Sequence, residues 1–121
     1  MHPYLPQHEL LKFCQENGIH VTAYSPLGSD PKNGVLADPL VQEIAKKNGK
    51  SPAQVLLAWG MQRGTSVIPK TSNPLRVKEN YESLLFELSK EDMQSLDDLH
   101  KTKTKRFIDH SVVWKVDVFS E

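Results

Sequence analysis

The order of elements legible along the 121 residues is helix, strand, two helices, strand, two helices and a tail, which predicts an α/β fold with parallel strands. Two observations carry this expectation. The runs Ile19-His20-Val21-Thr22-Ala23-Tyr24 and Thr65 to Pro69 are short and rich in β-branched residues, as strands require. The segments around them place apolar residues at helical spacing between recognisable caps and stops.

Met1 to Pro6 reads as extended and turn-rich, with a residue or two of a further strand at Met1 to Tyr4. Gln7 to Asn17 reads as a helix, with Leu10, Leu11, Phe13 and Cys14 on or near one side and Gly18 where a C′ glycine belongs. Ser25 to Pro31 breaks the first strand with Pro and Gly. Asp38 caps a helix whose face is Leu40, Val41, Ile44 and Ala45, ending near Asn48-Gly49. Ser51-Pro52 opens the next helix, whose Trp59 belongs to the core, and Gly64 ends it.

After the second strand, Asn73 is an N-cap and Pro74 suits the first helical position of a helix running to about Asn80. Tyr81 to Phe86 is expected to be a connection with core leucines. Ser89 to Asp92 resembles a capping box that starts a last helix with Met93, Leu96 and Leu99 inward. Lys101 to Arg106 reads as a solvated face or a disordered hinge. His110 to Glu121 carries Val112, Val113, Trp114, Val116, Val118 and Phe119 on no helical period.

Composition narrows the function. Fifteen basic and fifteen acidic side chains cancel, so neither nucleic acid nor an acidic membrane is indicated as the main partner. No apolar run approaches the roughly 18 residues of a membrane span, and the N-terminus does not read as a secretory signal. The lone Cys14 fits a reducing compartment, so a cytoplasmic location is expected. No metal is expected: His20 reads as a surface histidine because no second ligand is spaced for one.

The stretch with most chemistry is Val67 to Asn80. A strand there delivers Lys70, Thr71 and Ser72 to a helix start, with Arg76 in the first turn. Free backbone N–H groups, the positive end of the helix dipole and two cationic side chains would converge on one anion, best a phosphate. By spacing alone, a capped and solvated loop competes with that reading.

Ile68-Pro69-Lys70-Thr71-Ser72-Asn73-Pro74-Leu75-Arg76-Val77-Lys78-Glu79-Asn80 resembles the C-terminal signature of the aldo-keto reductases. Ala23-Tyr24-Ser25-Pro26-Leu27-Gly28 matches a second hallmark of that family, and Ser51 to Trp59 and His2 to Gln7 match further segments. The resemblance implies NADP(H) as cofactor. Lys70, Thr71 and Arg76 would hold its 2′-phosphate, with Ser72 adding a hydrogen bond, and Glu79 and Asn80 would face the adenine. Tyr24 would stack on the nicotinamide, and Ser25, Leu27 and Ser29 would wrap the pyrophosphate. Trp114, in a tail like the one that shapes the family's substrate pocket, is a candidate pocket wall.

The resemblance also implies a (β/α)8 TIM barrel, a fold of typically about 250 residues, of which this chain corresponds to roughly the last 40%. The expected division is a partial barrel over residues 1–106 and a tail over 107–121. The family's acid is a Tyr tuned by a Lys–Asp pair beside a His, and none of this chain's residues stands in those motifs, so no catalytic residue is assigned. The expectation is therefore the cofactor-gripping part of an NADP(H)-dependent oxidoreductase that reduces a small carbonyl substrate, inactive alone. The alternative is a non-catalytic half-barrel that binds nucleotide or a partner, self-associating through exposed sheet edges.

Overall fold

A computed structural model describes residues 1–117. Helix α1 spans His8–Glu16, strand β1 Thr22–Ala23, helix α2 Pro39–Asn48, helix α3 Pro52–Gln62 and strand β2 Ser66–Val67. Helix α4 spans Pro74–Glu82, α5 Lys90–Asp98 and the single turn α6 Ser111–Trp114, with 3₁₀ turns at Val35–Ala37, Ser83–Leu85 and Leu99–Lys101. Strands β1 and β2 pair in parallel, Thr22 opposite Ser66 and Ala23 opposite Val67. The intervening α2 and α3 form the crossover, as a parallel pair requires.

Both strands are shorter than their sequence runs, and the helix ends explain part of this. Gly18, at φ +68°, lets Ile19 N–H reach back to Cys14 O at 2.8 Å while Gly18 N–H bonds Gln15 O. This Schellman closure takes the Ile19 N–H that a longer strand would have used. Gly64 at φ +81° serves the end of α3 in the same manner, with Thr65 N–H on Gly60 O. The segment Met1 to Tyr4 is not a further strand of this sheet. His2 and Leu5 instead face each other in an antiparallel bridge across a tight turn, with Leu5 N–H on His2 O at 2.8 Å.

The caps follow from local chemistry. Asp38 accepts Leu40 N–H, Asn73 accepts Leu75 N–H, and Ser89 accepts Asp92 N–H. Ser51 and Gln54 form a reciprocal capping box at α3. Val41, Ile44, Val55, Leu56, Trp59, Leu88 and Leu96 make the core on which α2, α3 and α5 converge. Trp59 is 1% exposed; its indole N–H donates to Asp97 Oδ1 at 2.9 Å and the Arg63 guanidinium stacks 4.3 Å from its ring centre.

Two further expectations are corrected. Leu84 and Leu85 are exposed, because the 3₁₀ turn directs Ser83 inward, its hydroxyl on Asn80 O, and turns the two leucines out. The basic run 101–106 is not a free hinge: residues 101–105 are exposed, as a solvated face, but the run is tied down. Lys103 pairs with buried Asp38, Lys105 pairs with Asp30 and also donates its backbone N–H to Tyr4 O, and Lys101 pairs with Asp98. Val118 and Phe119 lie outside the described residues.

Candidate functional site

The loops that follow β1 and β2 leave the sheet at the same end, because the strands are parallel. A groove of about 800 Å³ opens there. One wall is the loop after β1, with Leu27, Gly28, Ser29 and Pro31; the other is the segment after β2 and the outer turns of α4, with Lys70, Thr71, Arg76, Glu79 and Asn80. Seven of the ten expected cofactor residues therefore line one concavity, namely Leu27, Ser29, Lys70, Thr71, Arg76, Glu79 and Asn80. Tyr24 and Ser25 line a separate, smaller notch of about 110 Å³ with His2, Arg106, Phe107 and Ile108. Ser72 is exposed and lines neither.

The cationic end differs from its expected construction. Pro74 has no N–H, Leu75 N–H is held by Asn73 Oδ1 at 3.0 Å, and Arg76 N–H bonds Asn73 O at 3.0 Å. Asn73 N–H is taken by Thr71 Oγ1 at 3.1 Å. The first turn of α4 thus spends its N–H groups on its own cap, so a bound anion would be met by side chains. Thr71 Oγ1 accepts the Asn73 N–H, which leaves the hydroxyl proton to donate outward. The exposed Lys70 and Arg76 supply the charge, and Arg offers a planar fork suited to phosphate.

The other end of the groove is shaped by residues to which sequence reasoning assigned no site role. Leu36, Pro52 and Ala53 provide apolar surface, and Gln42 and Ser51 provide polar groups. Gln54 places the opposite rim: its side-chain amide donates to Glu79 O at 3.1 Å and ties the start of α3 to α4. Pro52 and Ala53 were readable as a helix start, yet nothing local signals that this start borders a groove. An apolar slot with amide and carboxylate rims accepts a flat, polar-edged heterocycle. Lys70 and Arg76 place positive charge at the opposite end of the same groove.

The described residues do contain a Tyr, an Asp and a Lys in contact, but the arrangement is a structural one. Tyr4 O–H donates to Asp38 Oδ2 at 2.6 Å, and Lys103 Nζ reaches the same oxygen at 2.6 Å. Burial, and then the Asp38 hydrogen bond, push the Tyr4 phenol well above its ordinary pKa. A proton donor to a carbonyl needs the opposite shift. Burial works against the Asp38 charge, but Lys103, Tyr4 and the Leu40 N–H outweigh it and hold the carboxyl below the usual range. Tyr24 is 60% exposed, and Trp114 stacks on His110 at 4.8 Å between ring centres, away from the groove-lining set.

Comparison with known proteins identifies the family. Residues 1–101 match the Aldo/keto reductase family. The NADP-dependent D-sorbitol-6-phosphate dehydrogenase of Malus domestica is 43% identical over 129 residues, covering 98% of this chain and 40% of that protein. Aldo-keto reductase family 1 member A1 of Bos taurus is 49% identical over 107 residues, covering 83% of this chain and 33% of that protein. The solved structure of aldose reductase from Giardia lamblia superposes with a TM-score of 0.89 at 38% identity, covering 99% of this chain and 41% of that one. The chain thus spans about two fifths or less of the length of these relatives. Its two parallel strands and flanking helices are part of the TIM barrel that such structures share. By sequence and by fold, the chain belongs to the aldo/keto reductase family.

Proposed function

We propose that these 121 residues form the cofactor-gripping part of an NADP(H)-dependent oxidoreductase that interconverts a small carbonyl compound and its alcohol. The observation that carries the reading is the groove in which Lys70, Thr71 and Arg76 stand at one end and Leu36, Ala53, Glu79 and Asn80 line the same space. Lys70, Thr71 and Arg76 hold the 2′-phosphate, with Ser72 at the exposed margin. Glu79 and Asn80 face the adenine. Leu27 and Ser29 border the pyrophosphate, while Tyr24 and Ser25, in the adjoining notch, meet the nicotinamide and its linkage. Trp114 belongs to a tail over 107–121 that borders the substrate. When bound, the cofactor supplies the hydride.

The proposal includes that these residues bind without reducing. Its support is that the Tyr4 proton is committed to Asp38, while Tyr24 and Tyr81 stand exposed with no hydrogen-bond partner for their hydroxyls among the described residues. Titration of the chain with 2′,5′-ADP and with 5′-ADP tests the phosphate assignment. Tighter binding of the 2′-phosphorylated nucleotide is expected; indistinguishable binding would remove Lys70 and Arg76 from the role.

A second reading, a nucleotide- or partner-binding half-barrel, is favoured by one feature. Each strand pairs on one side only among the described residues, and beside β2 lies a largely apolar groove of about 520 Å³ bordered by Leu57, Val67, Tyr81 and Leu84. An open edge of this kind invites pairing with another chain. A concentration-dependent dimer in sedimentation would support it.

A further inference from the structure

The segment after the last 3₁₀ turn crosses the loop that walls the groove, and it is fastened there repeatedly. Lys103 Nζ sits on Asp38 Oδ2 at 2.6 Å, at the end of the loop, where the Asp38 side chain is 1% exposed. Lys105 N–H bonds Tyr4 O at 3.1 Å, and Lys105 Nζ lies 3.6 Å from Asp30 Oδ2, in the middle of the loop. The Phe107 ring then covers two glycines of the same loop. A Cβ built on Gly28 would come within 3.0 Å of that ring, and one on Gly34 within 3.2 Å.

These contacts interlock. Lys105 Nζ also stands 4.7 Å from the Phe107 ring centre, so the ion pair and the aromatic contact hold each other in place. Asp30 uses its other oxygen to accept Lys32 N–H and Asn33 N–H, at 3.2 and 2.9 Å, which closes the turn that ends in Gly34. Gly28 stands at φ +71°, and a side chain at Gly34 would collide with Asp30 O, so the loop has no side chain of its own where the ring rests. Leu27, Gly28, Ser29 and Pro31 line the groove from this loop. The loop's shape therefore depends on a strap some seventy residues away in sequence.

We infer that Lys105 and Phe107 are positioning residues: they clamp the Leu27–Gly34 loop from outside and thereby set how fast a nucleotide leaves the groove. The cofactor part of this inference rests on the NADP(H) reading. The clamp itself is a statement about the loop. Because the Lys105 and Asp30 side chains are part-exposed, the ion pair contributes modestly, and the Phe107 contact carries more of the hold.

Amide hydrogen exchange on the 121-residue chain, with stopped-flow NADPH release alongside, tests the clamp. Lys105→Met is expected to speed exchange of amides 28–34 roughly threefold, with α2 and α5 unchanged. Lys105→Arg should restore wild-type exchange, and Phe107→Leu, which keeps apolar bulk but loses the ring, should exceed Lys105→Met. NADPH release should quicken by the same factors while the preference for NADPH over NADH stays fixed. Unchanged loop exchange in both weakened variants, or exchange rising equally across all helices, would overturn the clamp. If NADPH binds and both variants release it at the wild-type rate, the link to the cofactor is overturned and the NADP(H) reading survives. If the wild-type chain takes up no NADPH, that reading fails and takes the link with it, while the exchange data still decide the clamp.

Discussion

Lys103 and Asp38 meet at 2.6 Å across 65 residues of chain, joining the segment after the last 3₁₀ turn to the cap of α2. Asp38 is almost wholly buried while Lys103 stays half in solvent, so the pair is asymmetric. Loss of the Lys leaves a buried carboxylate with the Tyr4 hydroxyl and the Leu40 N–H as its partners. Lys103→Met is expected to destabilise the chain by about 2 kcal/mol, below the full cost of breaking a buried pair because Lys103 is part-exposed. Urea denaturation at neutral pH measures this.

The same carboxylate sets an acid limit. Its folded pKa lies below its unfolded value, so its contribution is complete above the usual carboxylate range and is lost as pH falls through the folded pKa. The phenol of Tyr4 is shifted upward, so its contribution is complete below about pH 10 and is lost as pH rises beyond that. Tyr4→Phe is expected to cost on the order of 2 kcal/mol at pH 7, a hydrogen bond to a charged group, and to flatten the alkaline limb. Stability measured from pH 7 to 11 on both chains checks it.

His2 gives a separate window. Its ring is buried, Nδ1 has no hydrogen-bond partner among the described residues, and burial pushes the imidazole from 6.5 down to about 4. The folded chain refuses a proton that the unfolded chain accepts. Stability is therefore complete above pH 6.5 and falls between 6.5 and 4, by on the order of 3 kcal/mol. His2→Phe should remove that slope; an unchanged slope in the variant would assign it elsewhere.

Gly60 is where α3 rests on β2. A Cβ there would lie 2.8 Å from Val67 Cγ1, and valine has no flexible end to yield. Gly60→Ala gains about 1 kcal/mol of helix propensity but overpacks at a cost of about 1–3 kcal/mol. A net loss of about 1 kcal/mol is expected in thermal or urea melts.

What could be read from the sequence is what is decided within a few residues. Asp38, Ser51, Asn73 and Ser89 cap because each bonds an N–H two or three positions on, and Gly18 and Gly64 stop helices because each adopts a left-handed backbone. Much of the groove wall was legible through Leu27 to Ser29 and Lys70 to Asn80, because the resemblance implies cofactor contacts in those stretches. The rest depended on distance in space. Nothing near Lys103 or Lys105 announces Asp38 or Asp30, and nothing near Phe107 announces two glycines some seventy to eighty residues earlier. Leu84 and Leu85 look like core until the turn places Ser83 inside. The expected free N–H groups at α4 failed because Asn73, the cap that made the start recognisable, also takes the Leu75 and Arg76 N–H groups, while Thr71 takes that of Asn73.

The proposed role of Lys70 and Arg76 is to grip a 2′-phosphate with their side chains. The most direct test compares NADPH and NADH binding by fluorescence quenching, in the wild-type chain and in Lys70→Met/Arg76→Met. The wild type is expected to bind NADPH at least about tenfold more tightly than NADH, the worth of one charge-assisted phosphate contact, and the double variant to bind both alike. Equal affinity of the wild type for the two cofactors, or a preference that survives the double substitution, would contradict it.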